Sequence, residues 1–569
     1  MKALNLYLII LLVLLQINVA IGQTYARNGM VASSNKIASE VGVEILKKGG
    51  NAIDASVATA FALAVTHPTA GNIGGGGFIV FMDSSGMTTT IDFREKAPLA
   101  ATADMFLNDD GNLPKGINLY GNESTVNHIG LKSVGVPGTV AGLYMAHQKY
   151  GKLPWAILVQ PAIELAENGF DLPWSLSSAA EFFAENSNIQ FLKDYFRKDN
   201  GELTEFGENW RQPDLASTLK EIRDHGHDGF YKGRVAEEIA QFMKENGGII
   251  TVEDLEKYEA IERTPIKGTY KDYEIYSMPP PSSGGVVLVE MMNLMELADL
   301  DSIEFNSTEY VHLLAEVMRR AYADRAEHLG DPDFNLTTPI DKLISKEFAK
   351  KRFENIDMKQ ASESDTTRFG QMYDGSSTTH FSVVDKDGNA VSLTYTLEHG
   401  YGSGMGSSNL GFIFNNEMGD FNPLPGITST SGLIGTNPNL IEPEKRMLSS
   451  MTPTIVAKDG KPYLIIGTPG GRTIINTVFQ TVLNVLAYDM RVDKAIDAMK
   501  IHHQWLPDRI FYERHLLSPD TRKALEAMNH TLVARNSLGE LMGIQIDAIN
   551  HVLIGASDSN SSEGAAIGY

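Results

Sequence analysis

Alternation of side-chain type across residues 378–397 is the clearest pattern in the chain. Even positions read Thr378, His380, Ser382 and Val384 while odd ones read Thr379, Phe381 and Val383, the period of two that belongs to a β-strand. Asp385-Lys386-Asp387-Gly388-Asn389 is turn-forming, and Ala390-Val391-Ser392-Leu393-Thr394-Tyr395-Thr396-Leu397 alternates again. Centring a hairpin on Asp387 pairs Val384 with Ala390, Ser382 with Ser392, His380 with Thr394 and Thr378 with Thr396. One face then carries Thr378, His380, Ser382, Ser392, Thr394 and Thr396, the other Phe381, Val383, Val391, Leu393 and Tyr395. Thr396 is thereby placed within reach of Thr378. A surface hairpin with one polar face is the competing reading.

Elsewhere the pattern alternates between helix and strand. Residues 37–46 are amphipathic and end at Lys47-Lys48-Gly49-Gly50, as a helix terminus prefers. Asn51-Ala52-Ile53-Asp54 opens an Ala-rich apolar run that stops at His67-Pro68, which predicts a buried helix. Strands are expected at Phe78-Ile79-Val80-Phe81, after the tight Gly74-Gly75-Gly76-Gly77, and over residues 88–93, leading to Arg94. Residues 155–325 read as largely helical, with Thr308 capping the run through Arg325. A second β-rich region begins at Thr378 and includes Gly411-Phe412-Ile413-Phe414, Pro453-Thr454-Ile455-Val456 and Tyr463-Leu464-Ile465-Ile466, followed by a helix over 474–486. This order means mixed α and β, without internal repeats. Residues 355–377 and 422–444 read as exposed, the second long enough to serve as a lid.

Composition narrows the classes. A chain of 569 residues, 43% hydrophobic, has room for a large core, and a formal charge of -23 without a basic block disfavours nucleic acid and anionic membranes as partners. Lys2, the apolar run over residues 8–15 and Ala20-Ile21-Gly22 form the three parts of a secretory leader, too short for a membrane span. Cleavage near Gly22 and export to the periplasm or medium are expected; an uncleaved anchor is the alternative. With no cysteine, disulfides, thiolate catalysis and thiolate metal sites are excluded. The histidines, His502-His503 included, show no metal-ligand spacing and read as structural or surface; no metal or cofactor is expected.

Thr is a poor nucleophile inside a chain, but at an N-terminus its own α-amine acts as general base. Thr378, entering a strand after a polar loop, gains that state if the Ser377–Thr378 bond breaks by attack of its hydroxyl on the Ser377 carbonyl. Gly467-Thr468-Pro469-Gly470-Gly471, between strand and helix, offers backbone N–H groups to an oxyanion; a phosphate cradle or a plain glycine turn are the other readings. Glu417 and Asp420 suit an ammonium group, Arg94 a carboxylate, and Ser449-Ser450 add hydroxyl donors. Taken singly, each is more often a cap or a surface charge.

In combination these segments resemble the γ-glutamyltranspeptidases (glutathione hydrolases). The resemblance rests on Gly49-Gly50-Asn51-Ala52-Ile53-Asp54-Ala55, Asp92-Phe93-Arg94-Glu95, Val136-Pro137-Gly138, Pro280-Pro281-Ser282-Ser283-Gly284-Gly285, Thr378-Thr379-His380, Asn415-Asn416-Glu417-Met418, Leu448-Ser449-Ser450-Met451-Thr452-Pro453 and Gly467-Thr468-Pro469-Gly470-Gly471, in order along the chain. It implies an α+β fold, the αββα four-layer sandwich of the N-terminal-nucleophile hydrolases, cut before Thr378. The parts would be a leader (1–22), a large subunit (23–377) and a small subunit (378–569) that stay associated. It further implies Thr378 as nucleophile, Thr396 as its activating neighbour, and Gly470 and Gly471 as oxyanion hole. Arg94, Ser449 and Ser450 would hold the α-carboxylate of the glutamyl group, Glu417 and Asp420 its α-amine. Substrates would be glutathione and other γ-glutamyl compounds, with water, amino acids or peptides as acceptors. Glu398 stands where some bacterial relatives have Asn and is expected as a further amine contact. Ser431 takes the place of a gating Tyr, which predicts a more open site. An acylase of the same fold acting on a glutaryl-type side chain, and an uncut exported binding protein, are the rival readings.

Overall fold

A computed structural model describes residues 23–198, 200–364, 378–429, 434–514 and 517–569. The leader, Ser377 and Ser431 lie outside the described residues. In chain order the strands of the two large sheets are β1 (Gln23–Ala26), β2 (Met30–Ser33), β3 (Gly76–Met82), β4 (Thr88–Phe93), β5 (Ile261–Arg263), β6 (Ile266–Tyr270), β7 (Tyr273–Ser277), β8 (Thr378–Val384), β9 (Ala390–Thr396), β10 (Thr454–Lys458), β11 (Lys461–Gly467), β12 (Met542–Asp547), β13 (Val552–Ser557) and β14 (Ala565–Gly568). They form two seven-stranded antiparallel sheets, ordered β14-β2-β8-β9-β3-β4-β5 and β1-β13-β12-β11-β10-β7-β6.

The β8–β9 hairpin has the register its alternation predicts, Thr378 opposite Thr396 and Ser382 opposite Ser392. It is no surface hairpin: every residue of both strands is buried. Phe381, Val383, Val391, Leu393 and Tyr395 join a core with α1 (Lys36–Lys47) and α2 (Ala52–Thr66), and Tyr395 reaches the Ala60 carbonyl at 2.9 Å. The polar face lies between the sheets. There Ser392 accepts from the Thr454 N–H and donates to the Ile466 carbonyl, while His380 meets Thr394 and Ser382 at 2.8 and 3.0 Å. Ser382 likewise donates across the sandwich to the Met542 carbonyl at 3.3 Å, so burial of these hydroxyls costs little.

Helix α2 is buried at all 15 positions and starts from a capping box between Asn51 and Asp54. Burying each large side chain, such as Phe61 or Leu63, contributes about 1.5–3 kcal/mol. On the second sheet, α3 (Gly284–Met295), α4 (Thr308–His328) and α5 (Thr473–Ala487) build the other outer layer, and an apolar seam of Val80, Met82, Ile455, Ile465, Met542 and Ile544 joins the sheets. The architecture is an αββα sandwich.

Three expectations change. Ser307, not Thr308, caps α4, its hydroxyl accepting from the Tyr310 N–H at 3.1 Å. The stretch read as helical over 155–325 contains strands β5, β6 and β7. Gly411-Phe412-Ile413-Phe414 is not a strand: Gly411 has a positive φ of 71°, and Phe414 bonds to Met405 and Ser403 in the neighbouring loop instead of a ladder. Of the segments read as exposed, residues 355–360 are largely so, but Ser362 and Ser364 are held by Glu316, Arg319, Trp505 and Asp508. His502 and His503 are buried.

Candidate active site

Thr378 is the first residue of β8, 6% exposed, with its Oγ1 donating to Thr396 Oγ1 at 3.4 Å. Two contacts fix Thr396: its hydroxyl oxygen accepts the Glu398 N–H at 2.8 Å, and its carbonyl accepts from Asn72 Nδ2 at 2.9 Å. Gly75 is required there, because a Cβ would lie 2.0 Å from the Thr396 carbonyl oxygen. Sequence distance is bridged by backbone: the polyglycine turn before β3 lets the chain run against the end of β9.

One small cleft is lined by Arg94, Thr378, Thr396, Glu398, Glu417, Asp420, Ser449, Ser450, Met451, Gly471, Arg472 and Ile474. Among the described residues it unites every site residue singled out by sequence except Gly470, which borders the adjoining cavity. Arg94, at the end of β4, is fully buried. Its guanidinium donates to the Met447 carbonyl at 3.2 Å and pairs with Glu417, with Asp420 at 2.5 Å and with Glu95 at 3.4 Å. Burial alone would lower its pKa; Glu417, Glu95 and Asp420 more than offset this, so it stays a cation.

The carboxylates outnumber that cation. Glu417 Oε2, Glu398 Oε2 and Glu95 Oε1 are buried and without a hydrogen-bond partner among the described residues. Burial, reinforced by mutual repulsion, pushes Glu95 up to about 7, Glu398 up to about 8 and Glu417 well above the carboxylate range, against the pull of Arg94. Unpaired carboxylate oxygens around a cleft suit a small ammonium ion.

Opposite them, Ser449 Oγ accepts the Met451 N–H at 3.1 Å and Ser450 Oγ accepts from Arg325 Nη2 at 3.0 Å. Both hydroxyl oxygens therefore have donors behind them, which leaves their own protons to give to an anion. Arg325 escaped the sequence reading because it sits within α4, more than a hundred residues from Ser450. Gly470 and Gly471 follow β11 and precede α5 with φ of 138° and 57°, a path that favours glycine and sets N–H groups at a helix head.

On its other side Thr378 borders a second cavity, of about 510 Å³, lined among others by Ser34, Gly470, Arg535, Ser537 and Glu540. Two groups of histidine and glutamate that no spacing along the chain reveals come together in space, His128/Glu398/His399 and His312/Glu316/His530. In the second, His312 and His530 bond to each other at 2.7 Å and Glu316 holds Arg319, Arg320 and Ser362.

Residues 38–568 match the family model described as gamma-glutamyltranspeptidase. The glutathione hydrolase proenzyme of Escherichia coli (strain K12) is 45% identical over 553 residues, 96% of this chain and 92% of that protein. Among solved structures, the cephalosporin acylase of Bacillus halodurans superposes with a TM-score of 0.82 at 26% identity, covering 96% of this chain and 97% of its own. The Helicobacter pylori gamma-glutamyltranspeptidase chain superposes with a TM-score of 0.53 at 46% identity, covering 58% of this chain and 92% of that one. With the family model spanning nearly its whole length, the chain belongs to the gamma-glutamyltranspeptidase family.

Proposed function

We propose that the protein cuts itself before Thr378 and then transfers γ-glutamyl groups from glutathione and related amides to water or to an acceptor amine. The observation that carries this reading is the shared cleft: the Thr378 hydroxyl beside a buried Arg94, two serine hydroxyls and a surplus of buried carboxylates. In the first step Thr378 Oγ1 attacks the Ser377 carbonyl, the C–N bond breaks as the peptide shifts to an ester and frees the α-amine, and water then opens the ester to give the Ser377 carboxylate and restore the Thr378 hydroxyl. That amine then takes the hydroxyl proton as Thr378 attacks the γ-carbonyl of the substrate. Thr396 holds the attacking oxygen in place, and the N–H groups of Gly470 and Gly471 receive the developing oxyanion. The proton passes to the departing amine, leaving a γ-glutamyl ester that water hydrolyses or an amino acid or peptide aminolyses.

Arg94, Ser449 and Ser450 take the α-carboxylate, and Glu417, Asp420 and Glu398 the α-ammonium. The cavity beyond Thr378 receives the leaving and accepting amines. The large part would be residues 23–377 and the small part 378–569, the leader directing export. Among the described residues, no helix is long and apolar enough to cross a membrane.

Likeness to the cephalosporin acylase keeps a glutaryl acylase in view. The buried carboxylates weigh against it, because an acyl group without an amine leaves them uncompensated. Paired assays separate the two: γ-glutamyl-p-nitroanilide should turn over at least 100-fold faster than glutaryl-p-nitroanilide, and the reverse ranking would refute the reading. A denaturing gel with N-terminal sequencing of the smaller band should read Thr-Thr-His-Phe; a single intact band in active material would exclude the mechanism.

A further inference from the structure

Glu398 forms part of a wall between two spaces. On one side is the cleft with Thr378; on the other is a cavity of about 350 Å³ lined by His128, His399, Asn416, Tyr120 and Ser124, among others. His128, at the end of a short turn (Val126–His128), brings Nδ1 to 2.8 Å from Glu398 Oε1, and His399 Nδ1 lies 3.8 Å from Glu398 Oε2. The His128 contact is close but bent: neither His128 Nδ1 nor Glu398 Oε2 has an aligned hydrogen bond among the described residues. Glu398 is also held in a left-handed backbone conformation, φ 76°, while its N–H supports the Thr396 hydroxyl. Strain of this kind persists where surroundings over-determine it, often at functional sites. Gly419 allows the close approach: a Cβ there would lie 2.1 Å from His128 Nδ1 and 2.9 Å from Glu398 Oε1.

The charges around Glu398 come from every element packed on it. His399 is its chain neighbour; His128 comes from the short turn, Glu417 and Asp420 from the turn Glu417–Asp420, Arg94 and Glu95 from the end of β4, and Arg472 from the head of α5. Two arginines face four carboxylates, so part of the excess negative charge is held as protons. His399 is fixed by Asn416, which donates to its Nδ1 at 2.7 Å and accepts its backbone N–H at 3.1 Å, so the neutral ring keeps its proton on Nε2. Asn416 also donates to the His128 carbonyl at 3.1 Å, but among the described residues no hydrogen bond fixes His128 Nδ1, and its ring lies 5.0 Å from that of His399.

We propose that His128 is a positioning residue for Glu398, and that arrival of a γ-glutamyl ammonium drives one proton from Glu398 through His128 into the far cavity. The balance is simple: the carboxyl O–H of Glu398 breaks, its proton bonds to His128 Nδ1 as the proton on His128 Nε2 leaves to water, and the carboxylate takes the ammonium as counter-charge. Burial supports both ends of the exchange, raising Glu398 to about 8 and holding His128 down to about 4, so the ring passes a proton on instead of keeping it. This inference rests on the reading of Glu398 as an ammonium contact.

The test is calorimetric titration of L-glutamate into the processed enzyme at pH 7 in two buffers of different ionisation enthalpy, with glutarate as the amine-free control. The expected result is net proton release with L-glutamate and none with glutarate. The relay itself is read as a rate: in stopped flow with a pH-indicator dye, His128→Phe should slow the release at least tenfold and raise KM for γ-glutamyl-p-nitroanilide about tenfold, with kcat within twofold. His128→Gln, which keeps a polar group near Glu398, should recover KM but not the rate of release. Two-band processing on a gel verifies that each variant folds. Release as fast as in the parent in both His128 variants overturns the inference, as does release that persists in Glu398→Gln. If Glu398→Gln binds L-glutamate with unchanged affinity, the underlying reading of Glu398 fails instead.

Discussion

Ser450, proposed to hold the α-carboxylate, shows how a site can depend on atoms that never touch the ligand. Because Arg325 donates to its oxygen, the hydroxyl proton is left to be given into the cleft. Arg325 has no carboxylate within ion-pairing distance among the described residues, and burial lowers its pKa. Arg325→Met should therefore leave thermal stability nearly unchanged while raising KM several-fold, from loss of an oriented hydrogen bond of about 1–1.5 kcal/mol. Melting curves and steady-state kinetics read the two effects separately. Ser450→Ala should raise KM by about tenfold, since a hydrogen bond to a charged group contributes about 1.5–3 kcal/mol. Glu398 carries a pH signature of its own. Burial pushes its carboxyl up to about 8, above the 4.5 of a free glutamate, so the folded state binds the extra proton between those values. Stability from this group is then full below pH 4.5 and declines as pH rises toward 8. The melting temperature of Glu398→Gln should fall less than that of the parent between pH 5.5 and 8; equal falls would remove Glu398 as the source. Arg94 was legible because it follows a strand end, whereas Glu417, Asp420 and the serine pair were legible through the family resemblance of their segments, the strand expected before Glu417 being absent. Arg325 and His128 were not, because folding alone brings their segments to Ser450 and Glu398.

At the level of elements, period-two alternation located β8 and β9 and their register, because a one-residue slip would have exchanged a polar face for an apolar one. What alternation does not reveal is which side meets water. Here neither does: the polar face meets a second sheet supplying matching donors and acceptors, Thr454 and Ile466 among them. β6 and β7 were hidden inside a region read as helical, since five-residue strands between long helices leave few alternations to count. Gly411-Phe412-Ile413-Phe414 has strand composition but no neighbouring ladder, and composition alone does not supply one. Close backbone approach sets a sharper constraint. Gly75→Ala would press a methyl against the Thr396 carbonyl, and the shift should cost about 1–3 kcal/mol and slow self-cleavage. A melting curve and a time course of the uncut band test this together; normal processing with lowered stability would detach Thr396 from the cleavage step.

Across the whole molecule, cutting before Thr378 would yield two chains woven through the same sheets. In the first sheet β8 and β9, from the later piece, lie between β2 and β3 of the earlier one; in the second, β10 to β13 lie between β1 and β7. Neither fragment holds a complete sheet. Both should migrate together in gel filtration at any salt concentration, because parting them would expose strand edges along their length. Threading of this kind also makes history matter. An uncut chain recovers from denaturant at a rate independent of its concentration, whereas the nicked form must first find its counterpart, so dilution slows recovery and favours aggregation. Once severed, the enzyme has given up its easy way back, and its working lifetime is governed by how slowly it opens.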